Sequence, residues 1–231
     1  GSRDELINYY FRVTEEAVGG FIQRIKDKWA QGKLSSSITK EDLEYLIENF
    51  SKAMSVFIRS DWIINLTQNQ IFKIISSLVR PIYGDLFEDL KKEKNTKGKK
   101  AIYLRYVGEI LQLYKEQCFN AALKRALQYA AMANSFQEYF IKTEYLDSTT
   151  IEKRTKDVGG KFFKQLREML EESKKYEFAW YVDNAGELFG CLLPLELLLK
   201  EGYEIVIFAN EKPAIDDLTF TDVREILKEL V

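Results

Sequence analysis

Apolar residues recur at three- and four-residue spacing from Asp4 to about Glu172, the pattern of helices that each bury one face. The first segment carries Leu6, Ile7, Tyr10, Phe11, Val13, Val18, Phe21, Ile22 and Ile25, and Gly19-Gly20 inside it suggests a kink or a close crossing. Gln31-Gly32-Lys33 with Ser35-Ser36-Ser37 reads as a loop. Thr39 then stands three residues before Asp42, the spacing of a capping start, so a second helix runs from there to about Ser60. A third begins near Thr67 and breaks or bends at Pro81. The charged stretch Glu88 to Lys100, with Lys91, Lys92, Lys94 and Lys97, is expected to be a solvated helix end and loop; a phosphate-binding patch is the alternative. A long helix covers roughly Ala101 to Tyr139, and its aromatic residues belong to a core face.

The period changes in the last quarter. Tyr176 to Val182 and Tyr203 to Phe208 are short apolar runs rich in aromatic and β-branched residues. Between them Glu187 to Lys200 reads as a helix that ends at Gly202, a natural C-cap. A polar loop from Ala209 to Asp217 and a helix near Thr219 to Glu229 follow. Strand, helix, strand, helix at this spacing predicts a βαβ unit with parallel strands and a right-handed crossover. The expected fold class is α+β or α/β: a large helical domain over 3–155, then a Rossmann-like α/β domain with a small parallel sheet over 156–231.

Composition narrows the chemistry. At 231 residues the chain can bury a substantial core. Lys+Arg 34 against Asp+Glu 36 gives a net charge of -2, with no overall bias toward nucleic acid or an anionic membrane. Histidine is absent, which excludes Ser-His-Asp and Cys-His catalysis and histidine-ligated metal in this chain. Cys118 and Cys191 are far apart and form no CxxC pair, so a disulfide framework is not expected and the reading is cytoplasmic. No apolar run approaches the ~18 residues of a membrane span. Chemistry must rest on carboxylates, amides, hydroxyls, lysines, backbone groups or a metal held by oxygen.

The βαβ unit supplies such a set. Ligands of open α/β sheets bind beyond the carboxyl ends of the strands. Asp183 and Asn184 follow the first strand directly, and Asp216 and Asp217 lie in the loop after the second. Parallel strands send both loops to one edge. Gly186 admits a close backbone approach, and the next helix offers N–H groups and a positive dipole end. Carboxylate and amide oxygens are hard ligands that suit Mg²⁺ or Mn²⁺, and metal-assisted attack of water on a phosphoester is the most economical chemistry they allow. Each acidic pair also reads as a plain helix start with an Asp or Asn cap.

Asp183-Asn184-Ala185-Gly186-Glu187, at a strand end and before a Leu-rich helix, resembles the signature of the damage-control phosphatases, long known as domain of unknown function 89. Lys212-Pro213-Ala214-Ile215-Asp216-Asp217-Leu218-Thr219 with Asp222 is similar to that family's second block. Pro81-Ile82-Tyr83 through Asn95, and Ala130 to Asn134, are weaker echoes in the helical part. The resemblance implies a divalent metal (Mn²⁺, Mg²⁺, Co²⁺ or Ni²⁺) on Asp183, Asn184 and Asp217, with Asp183 and Asp217 catalytic. It implies substrate contacts from Asn134, Gly186, Glu187 and Lys212. The activity implied is hydrolysis of small phosphate monoesters, such as sugar phosphates or damaged phosphometabolites, by metal-activated water.

The chain departs from that pattern. Cys191 stands where the family has an acidic residue, and it reads as a small buried residue rather than a nucleophile. Asn210 stands where a basic one is expected. The family's strands continue past the point where this chain ends, so either further strands lie in the region read as helical, or the sheet is completed by a partner chain or a second copy, or the form is a truncated one. Two readings stay open: a phosphatase, and a catalytically degenerate relative serving as a binding or assembly module. Neither involves nucleic acid or a membrane.

Overall fold

The structure, a computed structural model, describes residues 3–34, 39–58, 70, 73–77, 85–133, 148–172, 176–212 and 216–229. The chain falls into two units, Gly1–Glu88 with Lys212–Ile215, and Asp89–Glu211 with Asp216–Val231.

In the first unit, α1 (Arg3–Ala30) is one uninterrupted helix. Its buried positions include Thr14, Val18, Phe21, Ile25 and Lys28, a single stripe at alternating steps of four and three. The break suggested by Gly19-Gly20 does not occur. Both glycines are exposed, and a Cβ at either would meet nothing within 4 Å. They only weaken the helix, by about 1 kcal/mol each relative to alanine. α2 (Lys40–Ile58) starts on the expected cap. The Asp42 N–H donates to Thr39 Oγ1 at 3.1 Å, and Asp42 Oδ2 accepts from the Thr39 N–H at 3.0 Å. Leu43 and Met54 are the buried ones among its described side chains. Phe87 stands edge-on to Phe21 with centroids 5.1 Å apart, and Arg24 Nε–H donates to the Leu86 carbonyl at 3.1 Å. Residues 73–77 are helical, as the third helix requires; the Pro81 bend lies outside the described residues.

The second unit opens one residue into α3 (Glu88–Gly98), which passes through one π turn, Lys99–Tyr103, into α4 (Leu104–Glu116). The single helix expected over 101–139 is instead interrupted at Gln117 and Cys118 before α5 (Phe119–Ala133). No glycine or proline marks that break. α6 (Ser148–Arg154) is followed by a π segment, Val158–Phe162, in which Gly160 leaves helical geometry, and by α7 (Phe163–Glu172).

β1 (Glu177–Tyr181), α8 (Leu188–Lys200), β2 (Glu204–Phe208) and α9 (Phe220–Lys228) then follow in the expected order. β1 and β2 pair in parallel, from Glu177 opposite Glu204 to Tyr181 opposite Phe208. Alternate residues face inward: Phe178, Trp180, Ile205 and Ile207 pack on the core. Tyr181 and Phe208 stack on the outer face, 4.9 Å between centroids. α8 buries Leu188, Phe189, Leu192, Leu193, Leu195, Leu197 and Leu198, nearly its whole circumference. Each such side chain contributes about 1.5–3 kcal/mol when withdrawn from water. Gly190 sets its approach to α5, since a Cβ there would lie 2.5 Å from Ala133 Cβ. Gly202, at φ 85°, turns the chain out of α8. Among the described residues no helix is long and apolar enough to cross a membrane.

Candidate active site

The parallel ladder ends where the Val182 N–H donates to the Phe208 carbonyl at 2.9 Å. Beyond it the two loops pair with each other. The Leu218 N–H donates to the Asp183 carbonyl at 2.6 Å, and the Ala185 N–H donates to the Asp216 carbonyl at 2.8 Å. Asn184 and Asp217 therefore face each other in an antiparallel bridge, and Asn210 bridges to Thr219 on the far side of the same segment. Thr219 caps α9 with its hydroxyl, and Asp222 Oδ2 returns the bond by accepting from the Thr219 N–H at 2.9 Å.

This pairing brings together Asp183, Asn184 and Asp217. Asp183 is exposed, Asn184 half-buried and Asp217 buried. Asn184 Nδ2 donates to Glu187 Oε1 at 3.1 Å and, weakly, to Asp183 Oδ2 at 3.4 Å. With its nitrogen spent on carboxylates, Oδ1 is the atom Asn184 offers to a cation. Asn210 Nδ2 donates to Asp217 Oδ2 at 3.3 Å, so the residue standing where a basic one was expected supports this carboxylate.

The site is rich in negative charge. Burial, with the nearby charges of Asp183 and Asp216, pushes the Glu187 carboxyl up to about 7, although the Asn184 hydrogen bond and Lys94 act against it. A hard dication among these oxygens would relieve that repulsion, and two carboxylates with a carboxamide are a fitting donor set. Among the described residues no three His, Cys, Asp or Glu side chains gather to hold a metal; the set here has two carboxylates and takes its third oxygen from an amide.

Gly186, buried at φ 89°, adopts a conformation that L side chains rarely reach. The backbone it admits is that of Gly98: a Cβ on Gly98 would lie 2.5 Å from the Gly186 carbonyl oxygen. The Gly186 N–H donates to Asn95 Oδ1 at 2.9 Å. Lys94 is ion-paired with Asp216, and Lys91 Nζ donates to Asp222 Oδ2 at 2.7 Å. The charged stretch expected to be solvated is thus, on one face, the wall of the site. Its pattern Lys91, Lys94, Asn95, Gly98 is the i, i+3, i+4, i+7 spacing that would have marked an inward face.

Asn134 lies outside the described residues. Lys212 is exposed and grouped with the first unit. Burial pushes the Cys191 thiol up to about 11, with Glu187 adding to it against a hydrogen bond with Trp180, so it is a poor nucleophile. A groove of about 630 Å³ lined by Ile207, Ala209, Phe220, Val223 and Leu227 includes none of the expected site residues.

The chain joins a helical part to a βαβ unit, and the loops of Asp183-Asn184 and Asp217 pair beyond the strand ends. Residues 13–231 match the damage-control phosphatase ARMT1-like domain, and the chain belongs to that family. It is 42% identical over 52 residues to the damage-control phosphatase At2g17340 of Arabidopsis thaliana. That stretch is 22% of this chain and 14% of the relative's length. The crystal structure of a DUF89 family protein from Pyrococcus horikoshii aligns with 100% of this chain and 71% of its own, with TM-score 0.50 and 15% identity, which shows the shared fold.

Proposed function

We propose that this chain is a metal-dependent phosphatase of small phosphate monoesters, sugar phosphates or damaged phosphometabolites, with Asp183, Asn184 and Asp217 holding one divalent cation. The observation that supports this best is the bridge between Asn184 and Asp217, which joins the two acidic loops beyond the strand ends. A divalent cation held there, Mn²⁺, Mg²⁺, Co²⁺ or Ni²⁺, would supply Lewis-acid polarisation of a phosphoryl oxygen and would make water a better nucleophile. The chain's own residues do the rest. Asp217, buried, holds a fixed charge with little reorganisation. Asp183, exposed, is accessible from solvent. Glu187 accepts from the Asn184 amide nitrogen and so holds that side chain with its oxygen free for the cation.

The test is turnover of p-nitrophenyl phosphate and a panel of sugar phosphates with each of the four metals. Activity should fall to the buffer level in Asp183→Asn and Asp217→Asn. Turnover that persists in both would remove these residues from the chemistry. Neither turnover nor Mn²⁺ binding in the native chain would favour a binding or assembly module.

A further inference from the structure

One face of α3 touches the site at four positions, Lys91, Lys94, Asn95 and Gly98. Lys91 holds Asp222, which closes the cap of α9. Lys94 pairs with Asp216, whose carbonyl receives the Ala185 N–H. Asn95 Oδ1 receives the Gly186 N–H, and Gly98 lies against the Gly186 carbonyl. Adjacent residues therefore grip different loops: Asn95 holds the loop after β1, and Lys94 holds the loop after β2. Both side chains of the Lys94–Asp216 pair are largely withdrawn from solvent, with 19% and 16% of their surface left. Partners so placed are fixed by the helix and have little freedom of their own.

From this we propose that α3 is the positioning element of the site. Asn95 and Lys94 are positioning residues that set the loop of Asn184 and the loop of Asp217 at the separation a single cation requires. They touch neither the cation nor the substrate. The proposal rests on the metal-site reading above, and it concerns affinity for the metal rather than turnover.

The readout is Mn²⁺ binding by titration calorimetry on the full chain, with the melting temperature followed in parallel. Asn95→Ala removes an acceptor without changing charge. It should weaken Mn²⁺ by about 10–100-fold, the usual cost of losing a group that orients a ligand. Thr96→Ala, at an exposed neighbour in the same helix, should bind as the native chain does. Lys94→Gln is a second variant with an opposite electrostatic expectation. Removing a cation from among carboxylates should tighten Mn²⁺ if charge alone matters, whereas loss of positioning weakens it. Native affinity in Asn95→Ala, or tighter binding in Lys94→Gln, overturns the proposal. Native Mn²⁺ affinity in Asp217→Asn overturns the metal-site reading instead and takes this proposal with it.

Discussion

Gly98→Ala sets two effects of known size against each other. Gly98 is helical, with φ -60° and ψ -45°, so propensity alone favours alanine by about 1 kcal/mol. Against this, the new Cβ would lie 2.5 Å from the Gly186 carbonyl oxygen and 2.8 Å from its Cα. Non-bonded heavy atoms settle near ~3.5 Å, so roughly 1 Å must be found. It cannot come from a side-chain rotation, because the obstructing atoms are backbone. That backbone is tied down by Asn95 on one side and by the Ala185–Asp216 hydrogen bond on the other. Overpacking of this kind costs about 1–3 kcal/mol, and the rigid partner puts it at the upper end. The net loss is about 2 kcal/mol, which lowers the melting temperature by roughly 4–8 °C for a chain of this size. Mn²⁺ affinity should fall with it. Gly190→Ala is the control: its Cβ would meet Ala133 Cβ at the same 2.5 Å, but between α8 and α5. It should cost stability and leave Mn²⁺ affinity largely intact. Scanning calorimetry and Mn²⁺ titration on both variants decide the matter. A Gly98→Ala protein as stable and as metal-avid as the native one would refute the close approach, and equal loss of Mn²⁺ affinity in both would refute its specific link to the site.

Other consequences can be checked in the same way. The Asp222 carboxyl is raised by burial, but its bonds to Lys91 and to the Thr219 N–H and hydroxyl outweigh this and leave it below its ordinary 3.8. Its contribution is therefore fully present above that value and is lost as pH falls through the lower folded value. The stability gap between the native chain and Asp222→Asn, measured by urea denaturation, should be constant from pH 5 to 8 and shrink below about 4. Lys91→Met strips the cation from that pair, and the native chain should exceed it by about 2–4 kcal/mol at pH 7, less than a fully buried pair would give. Glu187 shows the opposite sign: raised from 4.5 to about 7, it binds a proton in the folded chain that the unfolded chain has released. Without added metal, its contribution to stability should fall as pH rises across that interval, and Glu187→Gln should remove the slope. Iodoacetamide at pH 8 should label the exposed Cys118 and spare Cys191 in the native chain, as a peptide digest would reveal.

The βαβ unit was readable because its signals are local. Two short apolar runs, a glycine at the end of a Leu-rich helix and acidic residues after each strand all lie within a few residues of what they determine. The same holds for the cap at Thr39 and Asp42. The break at Gln117 and Cys118 was not readable, because the apolar spacing of α4 and α5 continues through it without a residue that forbids a helix. α3 was misread for a different reason. A run of lysines and glutamates is solvated unless something neutralises it, and the neutralising carboxylates of Lys91 and Lys94 lie 131 and 122 positions away. Short-range pattern carries no trace of them. The loops of Asp183 and Asp217 were placed at one edge by strand direction alone, but their hydrogen bonding to each other depends on how the second loop folds back through Asn210 and Thr219.

Those same separations have a consequence for how the site comes into being. The side-chain hydrogen bonds of α3 to this region close chain segments of 91 to 131 residues, and closing long segments carries an entropic cost that nearby contacts do not. Helices and the neighbouring strand pair can form early, while the grip of α3 on the two loops must wait for most of the second unit to be in place. Refolding should then proceed in order. Helical signal returns first, and the capacity to bind Mn²⁺ returns with the slowest phase. On the proposed metal site, the contacts expected to form last are those that set the two ligand loops.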